Sequence, residues 1–190
     1  MIRSLRQHLL LFVIVGYAAI PAAADQPIRP AEWATPVQSA SLRNFFRLDE
    51  KVYRSAQPDR RGFEELKRLG IRNVLNFRDH HADDRGAKGL GLTLYRVKME
   101  AGEIKDEQVA EALRIIRTAK GPIAIHCWHG SDRTGLISAM YRILYQSWSK
   151  EEAIEELMKG GYGYHSLYRN IPEYIRKVNI ECIRQRVSAP

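Results

Sequence analysis

The residues of this sequence best suited to chemistry fall in one run, His126-Cys127-Trp128-His129-Gly130-Ser131-Asp132-Arg133-Thr134-Gly135. Gly130 allows a sharp curvature that a Cβ would hinder. The successive backbone N–H groups of such a loop, from Trp128 through His129, Gly130, Ser131 and Asp132 to Arg133, converge on an anion. Arg133 offers a planar fork to two oxygens of a phosphate. Cys127 sits at the mouth of the loop, where positive potential favours the thiolate, the nucleophilic form. Thr134 is placed to donate a hydrogen bond to that sulfur, and His126 to brace the loop from behind. Together these parts suit in-line attack of the Cys127 sulfur on a phosphate monoester dianion. A phosphocysteine forms and water hydrolyses it, while the loop amides and Arg133 stabilise the equatorial oxygens. The scheme asks for no metal and no other cofactor.

Such a loop needs a strand to deliver the cysteine and a helix N-terminus to close over the anion. Both are legible: residues 123–126 read as a short strand after the break at Gly121-Pro122, and residues 136–145 as a helix. Upstream, two short β-type runs at 44–48 and 51–55 turn at Asp49-Glu50. Asp59 is placed to cap a helix with Phe63, Leu66 and Leu69 on its apolar side, stopped by Gly70. Residues 73–77 and 93–97 read as strands on either side of a charged loop, 78–91. Asp106 is expected to cap a helix that buries Val109, Ala112, Leu113 and Ile116. Ser149 and Glu152 form a capping box for another helix, ending at Gly160-Gly161. A last helix is expected from about 170 to 186. One of its stripes holds Ile171, Tyr174 or Ile175, Val178 and Cys182, so Cys182 reads as a packed small hydrophobe. Tyr162, Tyr164 and Tyr168 are expected to pack the loop after Gly161. The alternation predicts an α/β fold, a central and mostly parallel sheet flanked by helices, with the phosphate loop between a strand and a helix.

The pattern His-Cys-x-x-Gly-x-x-Arg-Thr-Gly resembles the signature of the cysteine-dependent protein tyrosine phosphatase superfamily. The run Tyr53-Arg54-Ser55-Ala56-Gln57-Pro58 resembles an opening motif of its atypical dual-specificity branch. The stretch 133–142 followed by Gly160-Gly161-Tyr162-Gly163 is similar to secreted bacterial tyrosine phosphatases. The resemblance spans roughly residues 45–178. It implies a dual-specificity phosphatase-like fold, phosphotyrosine-type protein substrates, Cys127 as nucleophile and Arg133 as phosphate ligand. The branch supplies a carboxylic general acid from the loop here occupied by residues 99–106, where Glu100, Glu103 and Asp106 are the candidates. Glu103 is the choice, because Gly102 lets the loop close and Asp106 is engaged as a cap; Asp79, Asp83 and Asp84 of the charged loop come next, or solvent serves instead.

Two other functions fit the same residues. Relatives in fungi and plants act on inositol phosphates and pyrophosphates, but between Cys127 and Arg133 there is no Lys or Arg, and Asp132 adds a negative charge. That argues against highly anionic substrates, although a protonated His129 would offset it. A phosphoprotein-binding pseudophosphatase would keep the loop and lack the acid. Trp128 either lines the pocket mouth or packs on the surface. The pair His80-His81 on a charged loop has poor metal-ligand spacing.

The whole chain sets the frame. Its 190 residues include 30 Lys and Arg, 22 Asp and Glu, two cysteines and 45% apolar residues, which suits one globular domain and excludes a disulfide-dense mini-protein. The basic residues are dispersed without interleaved aromatics, which argues against a nucleic-acid groove. Arg3 and Arg6, an apolar run over 9–20, Pro21 and Ala22-Ala23-Ala24 read as a secretory signal peptide over 1–24. The run is too short to span a bilayer stably. The expected organisation is therefore a signal peptide at 1–24, an extended Pro-containing leader at 25–40 and a catalytic domain at 41–190. The mature protein is expected to be exported, and periplasmic if the source is bacterial.

Overall fold

The computed structural model describes residues 29–189; the expected signal peptide lies outside them. Among the described residues, six strands form one mixed sheet flanked by seven helices. The strands are β1 (Thr35–Pro36), β2 (Phe46–Arg47), β3 (Val52–Ser55), β4 (Asn73–Asn76), β5 (Thr93–Arg96) and β6 (Ile123–His126), in spatial order β1-β2-β3-β6-β4-β5. Strands β3, β6, β4 and β5 run parallel, and β1 and β2 extend the sheet antiparallel. The last strand in sequence, β6, is thus inserted between β3 and β4, with Ile123 opposite both Val52 and Asn73. Ligands in such sheets sit beyond the carboxyl ends of the parallel strands. The chain leaves β6 there as Cys127.

The central strands β4 and β6 are buried along their whole length, and their side chains alternate between two cores. Leu75, Ile123 and Ile125 join the larger core. It is roofed by α3 (Asp106–Thr118), α4 (Asp132–Gln146), α5 (Lys150–Lys159), α6 (Asn170–Lys177) and α7 (Ile180–Ser188). Val74 and Ala124 face a smaller core with Phe63 and Leu66 of α1 (Arg60–Arg68), beside α2 (Asp84–Ala87).

The caps follow the sequence at two helices. The Asp59 side chain accepts from the Gly62 amide at 2.8 Å, and Ser149 and Glu152 complete their box. Each such cap contributes about 1 kcal/mol. Elsewhere the structure departs from expectation. Leu69 is the C-terminal cap of α1 and 42% exposed, rather than part of its buried side. The Asp106 carboxylate does not cap α3; that helix starts after Lys105, and Asp106 instead accepts from the Tyr174 hydroxyl at 2.8 Å. The last helix is two, because Val178 is extended and the Asn179 side chain caps a new start at the Glu181 and Cys182 amides. That break rotates the apolar stripe onto Ile183 and Val187, leaving Cys182 exposed rather than packed. The described part of the expected leader is extended but not detached. Thr35 and Pro36 pair with Arg47 and Phe46, Ala34 is fully buried, and Arg29 donates to the Tyr162 hydroxyl at 2.6 Å.

Candidate active site

Gly130 adopts φ +76°, and a Cβ there would lie 2.5 Å from the Ser55 carbonyl oxygen, so only glycine lets the loop press against the end of β3. Three consecutive carbonyls of the loop are held from outside. The Gln57 amide donates to Trp128 O at 3.0 Å, Asn44 Nδ2 to His129 O at 2.8 Å, and Arg54 Nη2 to Gly130 O at 2.7 Å. In a trans peptide the N–H points opposite to its carbonyl. Tying these carbonyls outward therefore turns the amides of His129, Gly130 and Ser131 toward the concave side of the loop. The Ser131 hydroxyl donates to Tyr162 O at 2.6 Å, and Asn44 Nδ2 also reaches that oxygen, at 2.9 Å. The Tyr53–Pro58 motif and the Gly161–Gly163 turn are thus the floor and one wall of the loop.

His126 is fully buried behind it. Its Nε2 lies 2.8 Å from Asp83 Oδ2 and its Nδ1 3.2 Å from the Cys127 carbonyl oxygen, the bracing position expected from the sequence. Asp83 also accepts from Gln57 Nε2 and Asn76 Nδ2, both at 3.1 Å. Burial opposes ionisation of Asp83, but the hydrogen bond and charge of His126 outweigh it and hold the carboxyl below its ordinary value. Asp83 therefore contributes stability that is present above the unfolded value near pH 4 and lost as pH falls through the folded one. Asp83→Asn is expected to lower stability at neutral pH by about 2 kcal/mol. It should also flatten the loss of stability below about pH 4, read by urea unfolding across pH.

The Cys127 side chain is 2% exposed and not in a disulfide. Thr134 is buried with no hydrogen-bond partner for its hydroxyl, so the bond expected to the Cys127 sulfur is not made here. At Gly135 a Cβ would meet Leu157 Cδ1 at 2.3 Å, which lets α5 pack against the first turn of α4. Arg133 Nη1 donates to Met99 O at 3.1 Å and stands 3.6 Å from Asp79 Oδ1. Asp132 does not point into the loop; it accepts from the His165 amide at 3.0 Å and faces His165 Nδ1 at 2.8 Å.

Over the loop lies a cleft of about 460 Å³ walled by Arg133, Arg78, Asp79, Trp128, His129 and Tyr168, among others. Trp128 is half exposed at its rim, with the Arg78 guanidinium 4.0 Å from its ring centre. Arg78 was not singled out by the sequence. The signal was its place just beyond β4, the neighbour of β6, at the carboxyl edge of the sheet. With Arg78 beside Arg133, counting cations only within the loop underestimated the positive charge of the cleft. Burial and the nearby Arg133 charge push the Arg78 guanidinium below its ordinary value, as two cations sharing a site require.

Of the three acid candidates, none lines this cleft. Glu103 is exposed, pairs with Lys105 at 3.1 Å and borders, with Glu100, an adjoining hollow that shares Asp79 and His80 with the cleft. Asp106 is engaged by Tyr174. Two carboxylates do line the cleft, Asp132, which is engaged by His165, and Asp79, which stands beside Arg133. Tyr162 packs beneath the loop as expected, whereas Tyr168 reaches the cleft.

Comparison with known proteins gives a consistent picture. The sequence model of the tyrosine phosphatase family matches residues 40–186. The dual specificity protein phosphatase TpbA of Pseudomonas aeruginosa is 33% identical over 186 residues, covering 93% of this chain and 83% of its own. The crystal structure of TpbA from P. aeruginosa in complex with pTyr is similar at TM-score 0.76 and 30% identity, over 85% of this chain and 99% of that one. An inositol diphosphatase of Arabidopsis thaliana is 27% identical over 151 residues, 75% of this chain and 73% of its own.

Proposed function

Because the chain belongs to the tyrosine phosphatase family and is a cysteine-dependent phosphatase, we propose that it hydrolyses phosphotyrosine-type monoesters on protein substrates through a phosphocysteine at Cys127. The observation that carries the reading is the set of three outward-tied loop carbonyls, which leaves the inner face of the loop lined with amides. The anion settles there with Arg133 across its open side. The Cys127 sulfur attacks phosphorus opposite the leaving oxygen, and the same amides hold the equatorial oxygens as charge shifts. His126 and Asp83 keep the backbone at Cys127 in place. Water then attacks the phosphocysteine and frees the thiolate.

The leaving oxygen takes its proton from Asp79 in this reading, since Asp79 is the carboxylate beside Arg133 in the cleft. Its surroundings work in both directions. Partial burial opposes ionisation, but backbone N–H groups at Asp79 and His80 and the charges of His80 and Arg133 hold its carboxyl below the ordinary value. The protonated form therefore belongs to the acidic side, and turnover of substrates with poor leaving groups should rise as pH falls. Asp79→Asn should lose about 10²–10⁴-fold on the poorest leaving group, far less on the best, and lose the basic limb of the pH–rate profile. Glu100→Gln, Glu103→Gln and Asp106→Asn are the parallel variants. Selective loss in Glu103→Gln would return the acid to the 99–106 loop.

A second reading is favoured by one observation, the pairing of Arg78 with Arg133 in the cleft. Two guanidinium groups suit a substrate with more than one phosphate, such as an inositol pyrophosphate. A hydrolysis panel on the purified chain separates the two: phosphotyrosine peptide, phosphoserine peptide and inositol polyphosphate. Highest kcat/KM on the phosphotyrosine peptide is expected. Binding of phosphopeptides with no turnover would make the chain a binding module. Export remains part of the proposal, supported by the charged start and apolar run of residues 1–24. Intact mass of secreted material should show a chain beginning at Asp25.

A further inference from the structure

Arg54 is the largest side chain buried to completion, 1% exposed, and among the described residues no carboxylate forms an ion pair with it. An uncompensated buried charge is strongly destabilising. Its Nη2 donates to Gly130 O, its Nε has no partner, and its guanidinium lies 3.6 Å from the centre of the Tyr162 ring. A cation over a buried aromatic face recovers only part of that cost.

The surrounding charges do not make up the difference. Tyr162 is a neutral phenol, its hydroxyl pushed up by burial. Glu156, the carboxylate bonded to the Tyr162 hydroxyl, is already claimed, with Arg142 bonding both its oxygens at 2.9 Å and the Ala34 amide sharing one of them. Arg29 approaches the Tyr162 ring from 5.2 Å and adds a second guanidinium around that ring. The remaining neighbour is the loop itself. Arg54 is paired in register with Ile125, two residues before Cys127, and a Cβ on Gly135 in the first turn of α4 would lie 3.8 Å from Arg54 Nη2. The guanidinium is therefore wedged behind the loop, close to the positive end of α4, where a cation is disfavoured unless an anion sits in front. Burial pushes the Arg54 guanidinium below its ordinary value, and the charges of Glu156 and Cys127 offset this only in part.

We propose that Arg54 is a positioning residue of the phosphate site and its rear positive charge, balanced by the oxyanion that occupies the loop. The inference rests on the reading that the loop binds a phosphate dianion. Arg54 acts in two ways. Its hydrogen bond holds the Gly130 carbonyl outward, and its charge, which no carboxylate among the described residues pairs, is offset when the anion binds, so that the cost of burying it is recovered as affinity. The opening motif of residues 53–58 thereby has a function at its second residue.

The test uses inorganic phosphate and the full chain in a Cys127→Ser background, with affinity measured by calorimetric titration. Arg54→Lys keeps the charge, and Arg54→Gln keeps a donor without the charge. Arg54→Gln should weaken phosphate binding by at least about tenfold, whereas Arg54→Lys should stay within about threefold of the parent. A role limited to packing or to the Gly130 hydrogen bond would not follow charge in this way. Equal weakening in both variants, or none in either, overturns the proposal. If Arg54→Gln does not fold, Arg54→Lys decides alone: affinity within threefold supports it and a larger loss overturns it. Failure of the Cys127→Ser parent to bind phosphate would instead refute the phosphate-loop reading itself.

Discussion

Serine at position 127 is expected to leave a folded protein that binds phosphate and hydrolyses no aryl phosphate above background, a loss of at least about 10⁴-fold. None of the bonds that shape the loop involves the Cys127 side chain. The carbonyls of Trp128, His129 and Gly130 are held by Gln57, Asn44 and Arg54, and His126 is held by Asp83. A serine hydroxyl fits the same space but does not ionise near neutral pH, so the anion site survives without its nucleophile. Steady-state hydrolysis and phosphate titration on the same sample make the comparison. The wild-type protein should keep full activity after treatment with EDTA, because each step uses only protein groups.

The second large effect belongs to Arg133. Arg133→Lys should reduce kcat/KM by about 10²–10³-fold, with both a raised KM and a lowered kcat. The guanidinium is already steered, one nitrogen donating to Met99 O at 3.1 Å and lying 3.6 Å from Asp79. The fork that remains faces the cleft, where it can span two phosphate oxygens. A lysine keeps the charge but offers one point, and it reaches less far. Arg78 remains in the cleft and preserves part of the binding, so kcat should suffer more than KM. Kinetics within threefold of wild type would show that Arg133 does not contact the reacting phosphate.

The loop was legible in the sequence because its parts are contiguous: strand, cysteine, glycine, arginine and helix follow one another from Ile123 to Gln146. Its supports were not, because they arrive from elsewhere in the chain. Asn44, Arg54, Arg78 and Asp83 precede the loop by some forty to eighty positions and meet it only because β6 inserts between β3 and β4. A periodicity argument places β6 in a sheet but not between those neighbours. The same limit explains Asp79 and Glu103. The sequence placed the carboxylates of residues 99–106 ahead of Asp79, Asp83 and Asp84, while the cleft selects them by which strand end stands next to β6. The broken final helix is a local miss of another kind. An apolar stripe continued through Val178 on paper, yet Asn179 is a good N-cap, and restarting the helix there buries Ile183 and Val187 at the expense of Cys182.

The covalent intermediate is the point on which the account stands. Rapid acid quenching of the wild-type protein during turnover of an aryl phosphate, followed by peptide mass mapping, reads it directly. One phosphate adduct is expected, on the peptide carrying Cys127, absent from Cys127→Ser and accumulating further when the acid-assisted first step outpaces hydrolysis. An adduct on another residue, or continued turnover by Cys127→Ser without any adduct, would contradict it.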